Sequence, residues 1–165
     1  MTQRIAIFPG SFDPFTNGHL ETVRRASHLF DKLIIAVMTN TSKQPLFTND
    51  EKLTLIRAAV AELPNVSVVA QDAKLTVRFA EKLGAQFILR GIRNVRDFEY
   101  EEDIAAMNKI QAPQIETVFL LAAKKYAFLS SSLIKEVAKF GGNIEDLVPP
   151  AVARELGQKY KAKEG

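Results

Sequence analysis

The chain has 165 residues, 47% hydrophobic and 25% charged, with a formal net charge of +3 from 22 basic and 19 acidic side chains. That make-up suits one globular domain, residues 1–165, able to bury about two-thirds of its unfolded-chain surface, and the charge excess is too small to argue for nucleic acid. With no cysteine and only two histidines, a disulfide framework, a thiolate zinc site and a His-rich metal site are excluded.

No apolar run reaches membrane-spanning length. Met1-Thr2-Gln3-Arg4 leads straight into a strand and does not read as a signal peptide. The expectation is a cytoplasmic chain with no membrane partner.

Ile5-Ala6-Ile7-Phe8 reads as a first buried strand, closed by Pro9-Gly10. A helix over 17–30 follows, with Leu20, Val23, Ala26 and Phe30 at helical spacing and Thr16 or Asn17 as its cap. Leu33 to Met38 is a continuous apolar run, the mark of a strand buried on both faces. After a polar loop, Thr48-Asn49-Asp50-Glu51 fits a capping box opening a second helix, which Pro64 closes. Val66 to Val69 is a third strand, Leu75 to Leu83 a short helix stopped by Gly84, and Phe87 to Leu89 a fourth strand. A helix over about 97–111 carries Ile104, Met107 and Ile110. Val118 to Leu121 is the fifth strand, Ser130-Ser131-Ser132 opens a helix that Gly141-Gly142 stops, and Pro149-Pro150 opens the last. Strands alternate with helices, so the fold class is α/β: a doubly wound, mostly parallel five-stranded sheet with helices on both faces.

In such sheets ligands lie beyond the carboxyl ends of the strands. Four polar segments fall there: Ser11 to His19, Lys43, Arg90 to Arg93 and Tyr126 to Ser132. The first places a small hydroxyl, glycines and an imidazole at a helix mouth. There free N–H groups and the helix dipole favour an anion, so the segment reads as a phosphate site. It is neither a Walker loop nor the Gly-x-Gly-x-x-Gly fingerprint. Arg90-Gly91-Ile92-Arg93 sets two guanidiniums, suited to bidentate phosphate contacts, at a strand end. No nucleophile has a dedicated base partner, so no covalent enzyme intermediate is indicated.

Gly10-Ser11-Phe12-Asp13-Pro14 with Thr16-Asn17-Gly18-His19 resembles the nucleotidyltransferase superfamily marked by a Thr/His-x-Gly-His box. Over nearly the whole chain it is similar to the bacterial phosphopantetheine adenylyltransferase family. The resemblance implies a Rossmann-like fold and adenylyl transfer from ATP to 4′-phosphopantetheine, by direct in-line attack, yielding dephospho-coenzyme A and pyrophosphate. It implies His19 as the catalytic residue. Ser11, Phe12, His19, Gly91, Ile92, Arg93, Glu101, Tyr126, Ala127, Phe128, Leu129, Ser130, Ser131 and Ser132 would contact ATP. Ser11, Lys43, Thr76 and Arg90 would contact the acceptor. Leu129 stands where the family has isoleucine, and Tyr126 where many members have tryptophan. Magnesium would arrive with ATP, with no metal ligands in the protein, and the chain would form a homohexamer. Two other functions fit the same box: nucleotidyl transfer to another acceptor, such as nicotinamide mononucleotide or a phosphorylated alcohol, and a non-catalytic nucleotide sensor. The arginine box and the length favour pantetheine. His19 together with the serine box disfavours a sensor.

Overall fold

The computed structural model describes residues 1–39, 44–72 and 74–165. In chain order it contains β1 (Ile5–Gly10), α1 (Asn17–Ser27), β2 (Lys32–Met38), α2 (Asn49–Ala59), β3 (Val66–Gln71), α3 (Thr76–Lys82), β4 (Phe87–Ile92), α4 (Val95–Gln111), β5 (Glu116–Leu121), α5 (Ser131–Lys139) and α6 (Pro150–Glu164), with a short 3-10 turn at Lys124–Tyr126. The five strands form one parallel sheet in the order β3-β2-β1-β4-β5. The chain winds outward from β1 to β3, then returns to lay β4 on the other side of β1. The doubly wound expectation is met, and the switch in strand order lies between β1 and β4.

Alternation along the strands builds a core on each face. Ala6, Phe8, Leu33, Ile35 and Val37 meet Leu20, Val23 and Ala26 of α1 and Ile56 of α2. Ile7, Ile34 and Ile88 point the other way, onto Val77 and Ala80 of α3 and onto Ala112 and Ile115. A third cluster joins Phe47, Leu129, Ile134, Val148, Val152 and Leu156, fastening α5 and α6 beside the sheet. Gly84, at φ +68°, ends α3 in the left-handed region where a side chain would be strained. No helix among the described residues is long and apolar enough to cross a membrane.

Several boundaries differ from the sequence reading, and two of the differences shape the site. β1 does not end at Phe8, since Pro9 and Gly10 stay in register with Ala36 and Val37 of β2. β4 likewise continues through Arg90-Gly91-Ile92, in register with β5. Between them, however, β1 and β4 pair only at Ala6–Phe87 and Ile7–Ile88. Beyond those residues the two central strands part, and the parting opens a cleft at the switch point. α1 also ends early, at Ser27 rather than Phe30, capped by His28.

α4 starts at Val95, capped by the Asn94 side chain, so Glu101 lies in its second turn. Its Met107 and Ile110 do not reach the core; they are 57% and 72% exposed. β5 is an edge strand with no fully buried residue.

Candidate active site

The loop from Ser11 to Thr16 leaves β1 and enters α1. Phe12 adopts φ +46°, a strained value for a non-glycine residue, and the Asp13–Pro14 peptide is cis. Left-handed backbone of this kind costs roughly 1–3 kcal/mol and persists only where packing dictates it. Here Phe12 sits against Phe8 and Phe15 at ring separations of 5.3 and 5.5 Å. A Cβ on Gly10 would lie 2.8 Å from Phe12 Cζ, so the bare glycine makes room for that ring.

Thr16 is the N-cap of α1 and His19 occupies the third helical position, in a reciprocal box. The His19 N–H donates to Thr16 Oγ1 and the Thr16 N–H donates to His19 Nδ1 at 3.0 Å. An imidazole usually does not fill the place of Glu or Gln in such a box. Its effect is to fix the tautomer. With Nδ1 accepting, the neutral ring carries its proton on Nε2, the donor left for the cleft that His19 lines. Phe15 stacks on the ring at 5.4 Å, and Phe12 meets it edge-on at 5.0 Å. Burial, then the positive charges of Arg93 and Arg90, push its pKa down to about 4. The site therefore holds a neutral, oriented N–H donor at neutral pH.

The cleft has a volume of about 310 Å³, and a second cavity of about 550 Å³ adjoins it. Pro9, Gly10, Ser11, Arg90 and Glu101 line both. Arg90 bridges the gap between the parted strands. Its Nε donates to Glu101 Oε2 at 2.8 Å, a second nitrogen donates to Glu101 Oε1, and the third donates to the Pro9 carbonyl at 2.6 Å. Arg93 repeats the device. It holds Asp97 through two nitrogens, at 2.9 and 3.2 Å, and donates to the Leu129 carbonyl at 2.7 Å. The Arg93 guanidinium keeps the Asp97 carboxyl below the usual carboxylate range. Each guanidinium thus spends three of its five N–H donors on protein.

Ser11, Phe12, His19, Gly91, Arg93, Glu101, Tyr126, Leu129, Ser130 and Ser131 come together around the first cavity. Ser11, Thr76 and Arg90 line the second, with Met38, Leu75, Tyr100, Ile104 and Asn108. Ile92 is buried within β4, Phe128 is 59% exposed, and neither they nor Ala127 and Ser132 line these cavities. Lys43 lies outside the described residues. Ser130 caps α5, accepting from the Leu133 N–H at 3.1 Å, and Ser131 Oγ donates to the Pro14 carbonyl at 2.8 Å.

Sequence reasoning assigned no role to Phe8, Phe15, Thr22, Asp97 or Asp13. Thr22 and Asp97 line the cleft, and helical spacing from His19 and Arg93 was the available signal. Among the described residues no group of three or more acidic or histidine side chains could hold a metal. Asp97 and Glu101, the carboxylates of the cleft, are both engaged by arginines.

The cytidylyltransferase-like family model matches residues 7–137. The chain is 60% identical over 161 residues to the phosphopantetheine adenylyltransferase of Latilactobacillus sakei, covering 98% of each chain. It is 60% identical to that of Lacticaseibacillus paracasei, covering 99% of this chain and 100% of the relative. To that of Desulforudis audaxviator it is 50% identical, covering 95% and 96%. A crystal structure from Vibrio parahaemolyticus, provisionally assigned as a nicotinate-nucleotide adenylyltransferase, superposes with a TM-score of 0.69 at 18% identity over 97% of each chain. That likeness concerns the fold.

Proposed function

The chain belongs to the phosphopantetheine adenylyltransferases, within the cytidylyltransferase-like family, and from that premise we propose how its cleft performs the family's reaction. The chain transfers the adenylyl group of ATP to 4′-phosphopantetheine, giving dephospho-coenzyme A and pyrophosphate. The observation that carries the mechanistic reading is the meeting of two cavities at Ser11 and Arg90, beside the Nε2–H of a neutral His19.

ATP occupies the first cavity, with its phosphates among His19, Arg93, Gly91 and the serine box. The acceptor lies along the second, its phosphate between Ser11 and Arg90 and its arm past Thr76. A phosphate oxygen of the acceptor attacks the α-phosphorus in line. The bond from that phosphorus to the bridging oxygen of the β-phosphate breaks, and pyrophosphate leaves. The nucleophile is already ionised, so no strong base is needed. Positioning and charge stabilisation carry the rate. His19 donates to the α-phosphate, where charge grows in the transition state. Magnesium would be carried by the ATP phosphates and would supply charge neutralisation there, which suits a cleft whose carboxylates are already committed to arginine.

An apolar strip remains on the α4 and β5 side, where Met107, Ile110 and Leu121 are 57%, 72% and 71% exposed. Such a strip favours burial by other copies of the chain, in keeping with a homohexamer working in the cytoplasm. The reaction is tested by pyrophosphate release with ATP, magnesium and either 4′-phosphopantetheine or nicotinamide mononucleotide. Release is expected with the first alone. Equal turnover of the second would overturn the acceptor assignment and leave nucleotidyl transfer standing.

A further inference from the structure

Asp13 belongs to the Gly-Ser-Phe-Asp-Pro box, yet lines neither cavity. It is 7% exposed and fully employed. Its Oδ1 accepts from the Phe47 N–H at 2.9 Å, and its Oδ2 accepts from the Leu46 N–H at 2.9 Å and from Lys135 Nζ at 3.0 Å. A carboxylate buried this deeply is retained in its charged form only when hydrogen bonds and a cation offset its lost hydration, and here both do.

The partners come from three places. Asp13 lies one residue past Phe12, the ring set edge-on to His19. Leu46 and Phe47 close the segment between β2 and α2, which begins at Thr39 on the wall of the second cavity. Lys135 stands on α5, four residues and about one helical turn beyond Ser131, whose hydroxyl also holds this loop through the Pro14 carbonyl. One side-chain carboxylate thus joins the His19 loop, the acceptor-side segment and the helix of the serine box.

We propose that Asp13 and Lys135 form one positioning unit, which sets the helix of the serine box against the acceptor-side segment so that the two bound phosphates meet in line. The inference rests on the adenylyl-transfer reading. Neither residue touches a reacting atom, and each half-site keeps its own contacts without them. Their loss therefore changes how the two substrates are aligned, not whether each is held. A displacement of about 1 Å at a reacting centre can lower a rate about 100-fold.

The experiment measures kcat and both KM values, with melting temperature alongside, for wild type, Lys135→Met, Lys135→Arg, Asp13→Asn and the double variant Asp13→Asn/Lys135→Met. Lys135 is partly exposed, and the Leu46 and Phe47 N–H donors and the charge of buried Lys52 stay beside Asp13, so Lys135→Met is expected to fold. Its kcat is expected to fall about 10- to 100-fold while both KM values stay within about threefold. Lys135→Arg is expected to recover most of the rate. Asp13→Asn should resemble Lys135→Met, and the double variant should be no slower than the slower single, because the two act as one. If Asp13→Asn does not fold, the Lys135 pair decides alone. The proposal is overturned by a Lys135→Met enzyme with wild-type kcat, by losses confined to melting temperature or to KM, or by single losses that multiply in the double variant. The wild-type rate separates the levels. Absent turnover there sinks the adenylyl-transfer reading together with a positioning role in it, whereas normal turnover with an indifferent Lys135 series sinks positioning alone.

Discussion

At the scale of the residue, His19 is defined by what its two nitrogens face. Nδ1 is committed to the helix cap, so removing the ring takes away both a cleft donor and half of a capping box. His19→Ala is expected to lower kcat by about 10²–10³, the loss seen when a transition-state donor is deleted, with ATP affinity falling much less. His28 caps the far end of α1 in solvent, and His28→Ala should change neither quantity. A folded His19→Ala enzyme with near-normal turnover would refute the donor role. The ring's pKa of about 4 gives a second test. In the unfolded chain the same ring titrates near 6.5. Between those values only the unfolded state takes up the proton. The stability tied to this group is therefore full above about pH 6.5, is lost as pH falls towards 4, and drops no further below that. Catalysis should track the folded value. The kcat/KM profile, which reports the free enzyme, is expected to carry no His19 inflection near 6.5. A half-maximal rate near 6.5 that disappears in His19→Ala would contradict the neutral donor.

At the scale of the element, the chain uses one capping device twice for different ends. α2 opens on Thr48, whose Oγ1 accepts from the Glu51 N–H at 3.2 Å while Glu51 Oε2 accepts from the Thr48 N–H at 2.8 Å. That box lines neither cavity, and Glu51 Oε1 also accepts from Lys159 Nζ at 2.9 Å, which ties α2 to α6. Thr48→Ala is expected to destabilise the protein by about 1 kcal/mol, read as a lower melting temperature, with kcat unchanged. A change in kcat at full folding would mean that α2 also positions the site. α1 opens on the same pattern, but there the third helical residue is the imidazole of the cleft, and structure and chemistry cannot be separated by one substitution. The short pairing of β1 with β4 is the other element-level device. Two strands in full register would close the switch point. Their parting leaves a gap that Arg90 spans to the Pro9 carbonyl.

At the scale of the whole molecule, α4 and β5 present apolar side chains that none of the described residues covers. If other copies cover them, the 18.4 kDa chain should sediment as a multiple of that mass. A charge placed in the strip should then dissociate it. Ile110→Glu combined with Leu121→Glu is expected to give the single-chain mass by analytical ultracentrifugation with secondary structure intact. An unchanged large assembly would place the contact elsewhere.

The sequence by itself determined the order of elements and the edge on which the chemistry lies. Apolar runs bounded by Pro and Gly specify strands through local rules, and the Thr48–Glu51 and Gly84 signals act within a few residues, so neighbouring letters suffice to read them. It also named His19, Ser11 and Arg90, because the Ser11-to-His19 box and the arginine box are contiguous. Tertiary structure decided what depends on partners far apart in the chain. The Asp13 carboxylate finds its neighbours 33, 34 and 122 positions away, Arg93 finds the Leu129 carbonyl 36 away, and neither pairing leaves a periodic trace. The apolar spacing of α4 was legible as a helix, but its direction was not. Ile104, Met107 and Ile110 mark a face that avoids water, and the same spacing serves a helix packed on its own sheet or one left open. Only the placement of α4 beside β5 shows that Ile104 turns to the second cavity while Met107 and Ile110 are left open, because burial is a property of what the fold brings near and not of the side chain alone.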